Sequence, residues 1–260
     1  MRTLIITGAG VSADSGIPTF RGKDGYWRNF NPAELATPEA FANDPKLVWA
    51  WYRERRDRIR KAQPNPAHEA IVRLAGHAAD FLLVTQNVDD LHLRAKWEGR
   101  QLAQVKIVRI HGDIFVTRCS QCECRRREQE HEQEQGDGGV PKCEECGKFM
   151  RPDVVWFGER LHPRKLERVE NYVGRDSCDV VIVAGTTASF GYIVDWALRA
   201  RGQIGQLIEV NPDPTPLSPV ATRLIREPAG VALPRLVDEL WPLLLLPELG
   251  RSDRRLRRDR

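Results

Sequence analysis

An apolar, β-branched run, Thr3-Leu4-Ile5-Ile6-Thr7, leads straight into Gly8-Ala9-Gly10-Val11-Ser12-Ala13. A strand ending in a glycine turn is how a parallel α/β sheet brings backbone N–H groups to a phosphate. Gly8 and Gly10 permit a tight turn and close backbone approach, and Ala13 stands where such fingerprints accept Gly or Ala. The continuation, Gly16-Ile17-Pro18-Thr19-Phe20-Arg21, is not helix sequence, because Pro18 breaks a helix. Phe20 and Arg21 then fall in a loop positioned to lie over a bound ligand. The spacing argues against an ordinary dehydrogenase. Such a site places an acidic residue roughly 20 residues on to hold the ribose, whereas the next strand-like run here is Phe81-Leu82-Leu83-Val84.

Strand-like runs recur at Thr3–Thr7, Phe81–Thr85, Val105–Ile110, Asp179–Ala184 and Ile204–Val210, with a weaker one at Leu224-Ile225. They are rich in Val and Ile and separated by helical stretches, the pattern of a mostly parallel sheet covered on both faces. Two segments interrupt the rhythm. Residues 24–76 are helical in pattern, with Pro64 and Pro66 stopping a helix rich in arginine, and residues 113–155 carry most of the cysteines. Asp238–Leu246 reads as a closing helix. The expected division is a sheet domain from 1–23, 77–112 and 156–250, and a small domain built from 24–76 and 113–155. A ligand in such a sheet sits beyond the carboxyl ends of the strands. The polar residues collect there: Gln86-Asn87-Val88-Asp89, His111-Gly112, Gly185-Thr186-Thr187 and Asn211-Pro212.

The chain has 260 residues and a net charge of +4. Its last ten residues (251–260) hold six arginines and two aspartates, which accounts for the whole basic excess. The expected role of that tail is a solvated end. No apolar run approaches the roughly 18 residues of a membrane span, and no charged-then-apolar signal segment precedes the first strand. The expectation is a cytoplasmic protein with no membrane partner.

Four of the six cysteines form Cys119-x-x-Cys122 and Cys143-x-x-Cys146, with 20 residues between the pairs. In a chain without secretion signals, two such knuckles read as one zinc site rather than as disulfides. Four thiolates close a tetrahedral shell, so the zinc is structural and has no open position for water. Cys124 is read as a spare loop thiol next to the site, and Cys178, just before a strand, as a buried residue.

Taken in order, these stretches resemble the sirtuins, NAD-dependent protein-lysine deacylases. The matching segments are G-A-G-V-S-A-D-S-G-I-P-T-F-R-G at 8–22, T-Q-N-V-D at 85–89, H-G at 111–112, the two knuckles, R-P-D-V-V-W-F-G-E at 151–159, G-T-T at 185–187 and E-V-N-P at 209–212. The resemblance implies a Rossmann-like parallel sheet with helices on both faces, plus a small domain made of a helical insertion and a zinc ribbon. It implies NAD as co-substrate, its pyrophosphate on the turn Gly8-Ala9-Gly10 and the N-terminus of the following helix. Ser12, Asp14, Thr19, Gln86, Gly185, Thr186 and Thr187 would line the cofactor. Asn211 would meet the adenosine ribose and Ala229 the adenine. Phe20 and Arg21 would cover the nicotinamide ribose, with Asn87 and Asp89 holding nicotinamide and ribose. His111, a neutral imidazole near its ordinary pKa of about 6.5, would be the general base, with Asn87 beside it. The products would be free lysine, nicotinamide and 2′-O-acyl-ADP-ribose. Read alone, Asn87, Asp89 and His111 are equally well turn, cap or core residues. His68, His77, His92, His131 and His162 are read as structural.

Val155, Trp156, Phe157 and Gly158 look like the family segment that pairs with substrate backbone by strand addition. Tyr52 and Arg55 are three apart and share a helix face. They fit the Tyr-x-x-Arg pattern of the sirtuins that prefer succinyl and malonyl groups, where a guanidinium and a phenol clamp a carboxylate. Gly25-Tyr26-Trp27 and Trp156-Phe157 look like the same subclass. The competing reading is a plain charged helix face, crowded by Arg53, Arg56, Arg58 and Arg60. Three departures stand out: Thr187 stands where the family usually has serine, Pro32 replaces a small residue near the acyl pocket, and Ala188-Ser189-Phe190-Gly191-Tyr192 lacks the usual valine and proline. The expected partners are acyl-lysine proteins or peptides, met by a monomer. The alternatives are NAD-dependent ADP-ribosyl transfer to protein, and a zinc-ribbon nucleic-acid binder, which the balanced core charge opposes.

Overall fold

The computed structural model describes residues 1–19, 31–127 and 139–245. Its main sheet has six parallel strands: β1 (Arg2–Thr7), β2 (Asp80–Thr85), β3 (Ile107–Arg109), β7 (Val180–Ala184), β8 (Gln206–Val210) and β9 (Arg223–Ile225), in the spatial order β9-β8-β7-β1-β2-β3. A second, antiparallel sheet of order β5-β4-β6 is formed by β4 (Gly112–Cys119), β5 (Arg125–Arg127) and β6 (Met150–Val154). The helices are α1 (Pro38–Asn43), α2 (Pro45–Lys61), α3 (Pro66–His77), α4 (Pro163–Arg175), α5 (Gly191–Arg201) and α6 (Ala229–Leu245), with shorter turns between.

Strand β1 pairs with β2 on one side and β7 on the other. The chain builds outward from β1 in one direction and then returns to build in the other, which leaves a crevice between β1 and β7 at the carboxyl ends. Register aligns those ends, with Thr7 level with both Thr85 and Ala184. Alternate side chains of the buried strands feed two apolar layers. Ile5, Leu83, Ile182 and Ile208 pack with α3 and α6, while Leu4, Ile6, Val181 and Val183 pack with α4 and α5. A third layer joins Trp49, Trp51, Tyr52 and Ile59 of α2 to Ile114, Phe115, Val154 and Trp156.

Packing adds detail to the expected pattern. Helix α3, within the stretch expected as the helical insertion, buries Ala67, Ile71, Leu74 and Ala75 against the main sheet's core. Trp156 packs with α2 and with Ile114 and Val154. Val105 and Ile204 lie outside the strands expected to contain them and are 79% and 72% exposed. The closing helix begins at Ala229, nine residues ahead of Asp238, and runs through Pro234.

The insertion helix is set by its ends. Asp44 caps α2 by accepting from the Leu47 N–H at 2.9 Å, and Pro45 occupies the first position, where no N–H is needed. Asn65 caps α3 in the same way, with His68 returning a bond to the Asn65 N–H. The arginines of α2 divide. Arg58 and Arg60 pair with Glu54 and Asp57 at the surface, whereas Arg56 is buried and donates to Ile114 O and the Thr117 hydroxyl, tying α2 to β4.

Candidate functional site: a crevice at the sheet switch point

The glycines of the first motif meet the end of β7. The Gly8 N–H donates to Ala184 O at 3.1 Å and the Gly10 N–H to Gly185 O at 2.8 Å. A Cβ on Gly8 would come within 2.6 Å of Thr186 Cβ, one on Gly10 within 2.8 Å of Gly185 Cα, and one on Gly185 within 2.4 Å of Val11 N. The three glycines are therefore required by backbone-to-backbone packing of the crevice floor, and the N–H groups of Gly8 and Gly10 are engaged there. Ala9–Ser15 winds as a 3-10 helix that closes on Gly16 in the left-handed region, so an α-helix N-terminus does not form beneath the turn.

Behind this floor lies a buried polar chain. The Ser12 hydroxyl donates to Asp89 Oδ2 and accepts from Asn87 Nδ2, both at 3.0 Å, while Asp89 Oδ1 accepts from the Leu91 N–H. Burial pushes the Asp89 carboxyl above the ordinary carboxylate range. Thr7 donates to Thr85 at 2.8 Å and lies 3.1 Å from His92 Nε2, and the His68 and His92 rings stand 4.7 Å apart. The two histidines thus serve the interior, as expected. Gln86 crosses the crevice, its amide donating to the Thr186 hydroxyl at 2.9 Å.

His111 sits at the bend between β3 and β4, half-buried. Its Nδ1 is 3.0 Å from Gln86 O and its Nε2 is 2.6 Å from the Tyr192 hydroxyl. A carbonyl oxygen only accepts, so Nδ1 carries the proton and Nε2 presents the lone pair. Burial lowers the imidazole to about 4, correcting the expectation of an ordinary histidine pKa. The ring is neutral at physiological pH and already carries the tautomer a general base needs.

The other predicted residues fall around this centre. Asp14 accepts from the Gly230 N–H and so ties the glycine motif to the start of α6, where Ala229 is buried. Thr187 is exposed and accepts from the Ser189 hydroxyl. Asn211 donates to Asp213 O at 2.8 Å. Thr19 is half-buried at the described edge of the motif. Phe20, Arg21 and the Gly25-Tyr26-Trp27 run lie outside the described residues. Two residues not singled out beforehand shape the far end: Glu209, 1% exposed, binds Arg226 at 3.0 Å, and Arg226 also donates to Asn211 O and Asp213 O. Glu209 stood in the E-V-N-P match, and an acid pointing inward on a buried strand was the available signal.

On the opposite wall, the Val155 N–H donates to His111 O at 2.8 Å and the Phe157 N–H to Ala36 O at 2.9 Å. Gly158 lies in the left-handed region at φ 84°, and Glu159 accepts from the Trp156 N–H while holding Arg151 at 2.6 Å. Phe157 is 41% exposed, whereas the Trp156 indole is buried, stacks under Arg151 and donates to the Tyr52 hydroxyl at 2.8 Å. The Arg55 guanidinium lies 4.8 Å from the Trp51 ring centre and 5.9 Å from that of Tyr52. Burial works against its charge and lowers its pKa. The structure thus brings Tyr52, Arg55 and Trp156 into one wall.

The four predicted cysteines converge. Cys119 and Cys146 sulfurs are 3.4 Å apart, Cys122 and Cys143 3.6 Å, and Cys122 and Cys146 3.7 Å. Thiolates about 2.3 Å from one zinc have tetrahedral edges of about 3.8 Å, so the cluster fits that ion. Strand β4 carries Gly112 at one end and Cys119 at the other. Its length, at about 3.3 Å per residue, sets the thiols roughly 20 Å from His111, consistent with a structural role.

A parallel sheet with a polar crevice at its switch point, joined to a four-cysteine ribbon, defines a nucleotide-binding α/β protein with a structural metal module. Residues 8–190 match the model of the Sir2 family. The chain is 45% identical over 232 residues to NAD-dependent protein deacylase 1 of Archaeoglobus fulgidus, covering 89% of this chain and 90% of that protein. Among solved structures, it is similar to a Sir2 homologue in complex with NAD, at 44% identity, a TM-score of 0.82 and coverage of 94% and 90% of the two chains. It is also similar to a mutant Sir2 homologue in complex with 2′-O-acetyl ADP ribose, at 42% identity, a TM-score of 0.83 and coverage of 95% and 94%. The chain belongs to the Sir2 family.

Proposed function

We propose that this protein is an NAD-dependent protein-lysine deacylase that prefers succinyl and malonyl groups and also accepts acetyl. The relatives' names support the deacylase part. The observation that carries the chemistry is His111, neutral, with Nδ1–H fixed on Gln86 O and the Nε2 lone pair in the crevice. NAD, when bound, supplies the ribose carbon that the acyl oxygen attacks as nicotinamide leaves, and accepts the acyl group. The chain's own residues orient and move protons. The Ser12–Asn87–Asp89 chain presents fixed polar groups beneath the nicotinamide end, Gln86 and Thr186 bridge the phosphate side, and Arg226 with Glu209 holds the Asn211 loop at the adenosine end. His111 Nε2 takes the ribose hydroxyl proton. The Val155, Trp156 and Phe157 N–H groups are engaged within the chain, so the segment would meet the substrate strand through the Val155 and Phe157 carbonyls and the Gly158 N–H, with exposed Phe157 over the acyl-lysine.

Preference for acidic acyl groups rests on Arg55. It stands on one face of α2 with Tyr52, whose hydroxyl is oriented by Trp156, and a guanidinium beside a phenol suits a terminal carboxylate. We read the working form as a cytoplasmic monomer; no described helix is long and apolar enough to cross a membrane. The experiment is a comparison of acetyl-, succinyl- and glutaryl-lysine peptides with NAD. Succinyl-lysine should give the highest kcat/KM; a higher value for acetyl-lysine would remove the acidic preference while leaving the deacylase reading intact.

A further inference from the structure

The loop after β7 leads into the first turn of α5 beside His111. Gly185 and Ala188 both adopt positive φ, at 59° and 48°. Phe190 follows, and Tyr192 enters the first turn of α5. The Tyr192 ring is stacked on Phe190, with planes 11° apart and centroids at 5.5 Å, and it packs at 4.9 Å against the Trp196 ring. Trp196 is buried and donates to Glu170 of α4. The phenol is therefore held on the helix side by a fixed indole and on the other by Phe190, which is 40% exposed and lies 5.9 Å from the His111 ring. Its hydroxyl meets His111 Nε2 at 2.6 Å. Because Nδ1 donates to Gln86 O, the phenol must be the donor in this contact and Nε2 the acceptor.

That geometry has one chemical consequence. Nε2 is the only lone pair of a neutral Nδ1–H imidazole, and a base cannot accept from a ribose hydroxyl while a phenol holds it. We propose that Tyr192 is a positioning residue: in the free protein its hydroxyl docks on the His111 Nε2 lone pair and holds the plane of an imidazole whose tautomer Gln86 O already sets, and it yields that lone pair to the ribose hydroxyl when ligand enters. The inference rests on the reading of His111 as the base. The step is an exchange of donors on one acceptor, with no bond made or broken beyond hydrogen bonds. It makes ligand binding weaker than it would be on an open base, and in return keeps the Nε2 lone pair aimed and shielded from water between turnovers.

Tyr192→Phe keeps the ring and its stacking and removes only the donor. ADP-ribose, which carries the ribose and does not turn over, is the binding probe. The variant should bind it roughly two- to tenfold more tightly, the scale of one net hydrogen bond, with a matching gain in kcat/KM for NAD carried by KM. Imidazole nitrogen NMR of the free protein should show the Nε2 resonance of His111 moving in Tyr192→Phe while Nδ1–H stays in place. ADP-ribose should move the same Nε2 resonance in the unaltered protein. Unchanged affinity in the variant would overturn the proposal, as would a tenfold or greater fall in kcat, which would make the phenol a proton carrier during the reaction. Identical Nε2 resonances in the two free proteins would also overturn it. The base assignment has its own arm: if His111→Ala turns over normally, that reading fails, whereas the NMR comparison still reports whether the phenol holds the imidazole.

Discussion

The Trp156 indole N–H donates to the Tyr52 hydroxyl at 2.8 Å, with both side chains 2% exposed. This bond links the helical insertion to the segment that carries Phe157 and leaves the phenol proton of Tyr52 for another acceptor. Tyr52→Phe would strand a buried N–H, and the expected loss of stability is about 1–3 kcal/mol by urea denaturation. Arg55→Met should lower kcat/KM for succinyl-lysine at least about tenfold, the scale of one charge-assisted pair, while deacetylation changes far less. Equal losses on both substrates would return Arg55 to the status of a packing residue.

Gly185 and Gly16 both have positive φ, but only Gly185 is crowded, with a hypothetical Cβ 2.4 Å from Val11 N, while one on Gly16 meets nothing within 4 Å. Gly16→Ala should cost about 1 kcal/mol, the left-handed penalty alone. Gly185→Ala should cost at least about 3 kcal/mol and abolish ADP-ribose binding, since the crevice floor must open. Similar unfolding midpoints for the two variants would contradict the packing argument.

Much of the scaffold was legible because buried parallel strands are near-continuous Val and Ile runs, and because glycine turns and paired knuckles carry local spacing. What escaped was set by distant partners. Nothing in the amphipathic pattern of α3 says which sheet it covers. The closing helix read at Asp238–Leu246 starts at Ala229, where Gly230 and Pro234 carry no helical signature of their own. Arg56 looked like one more surface arginine until β4 supplied its acceptors. The Arg226–Glu209 and Tyr192–His111 contacts join residues 17 and 81 positions apart, beyond the reach of any local periodicity.

The protein should hold one zinc per chain by elemental analysis. Cys143→Ser should lose it and lower the Tm, with the ribbon becoming protease-sensitive. Cys124→Ser should retain it, although Cys124 lies in a second grouping with Cys143 and Glu145. Metal loss in Cys124→Ser alone would reassign the ligand set.

Burial lowers His68 to about 4, as it does His111, and holds His92 well below its ordinary range. In the unfolded chain each returns to about 6.5, so below that pH the unfolded state binds more protons. Stability from these groups is complete above about pH 6.5 and is lost as pH falls toward 4, at about 1.4 kcal/mol per proton per pH unit. Urea denaturation at pH 5 should give a free energy at least about 2 kcal/mol below that at pH 7. A flat profile over that interval would mean that the histidines are not held neutral.

The most direct measurement is mass spectrometry of the products from a succinyl-lysine peptide and NAD, with the unaltered protein and with His111→Ala. The account predicts free lysine peptide, nicotinamide and 2′-O-succinyl-ADP-ribose in equal amounts, with the rate falling at least about 100-fold in the variant. ADP-ribose attached to the peptide, or the same product at an unchanged rate in His111→Ala, would contradict it.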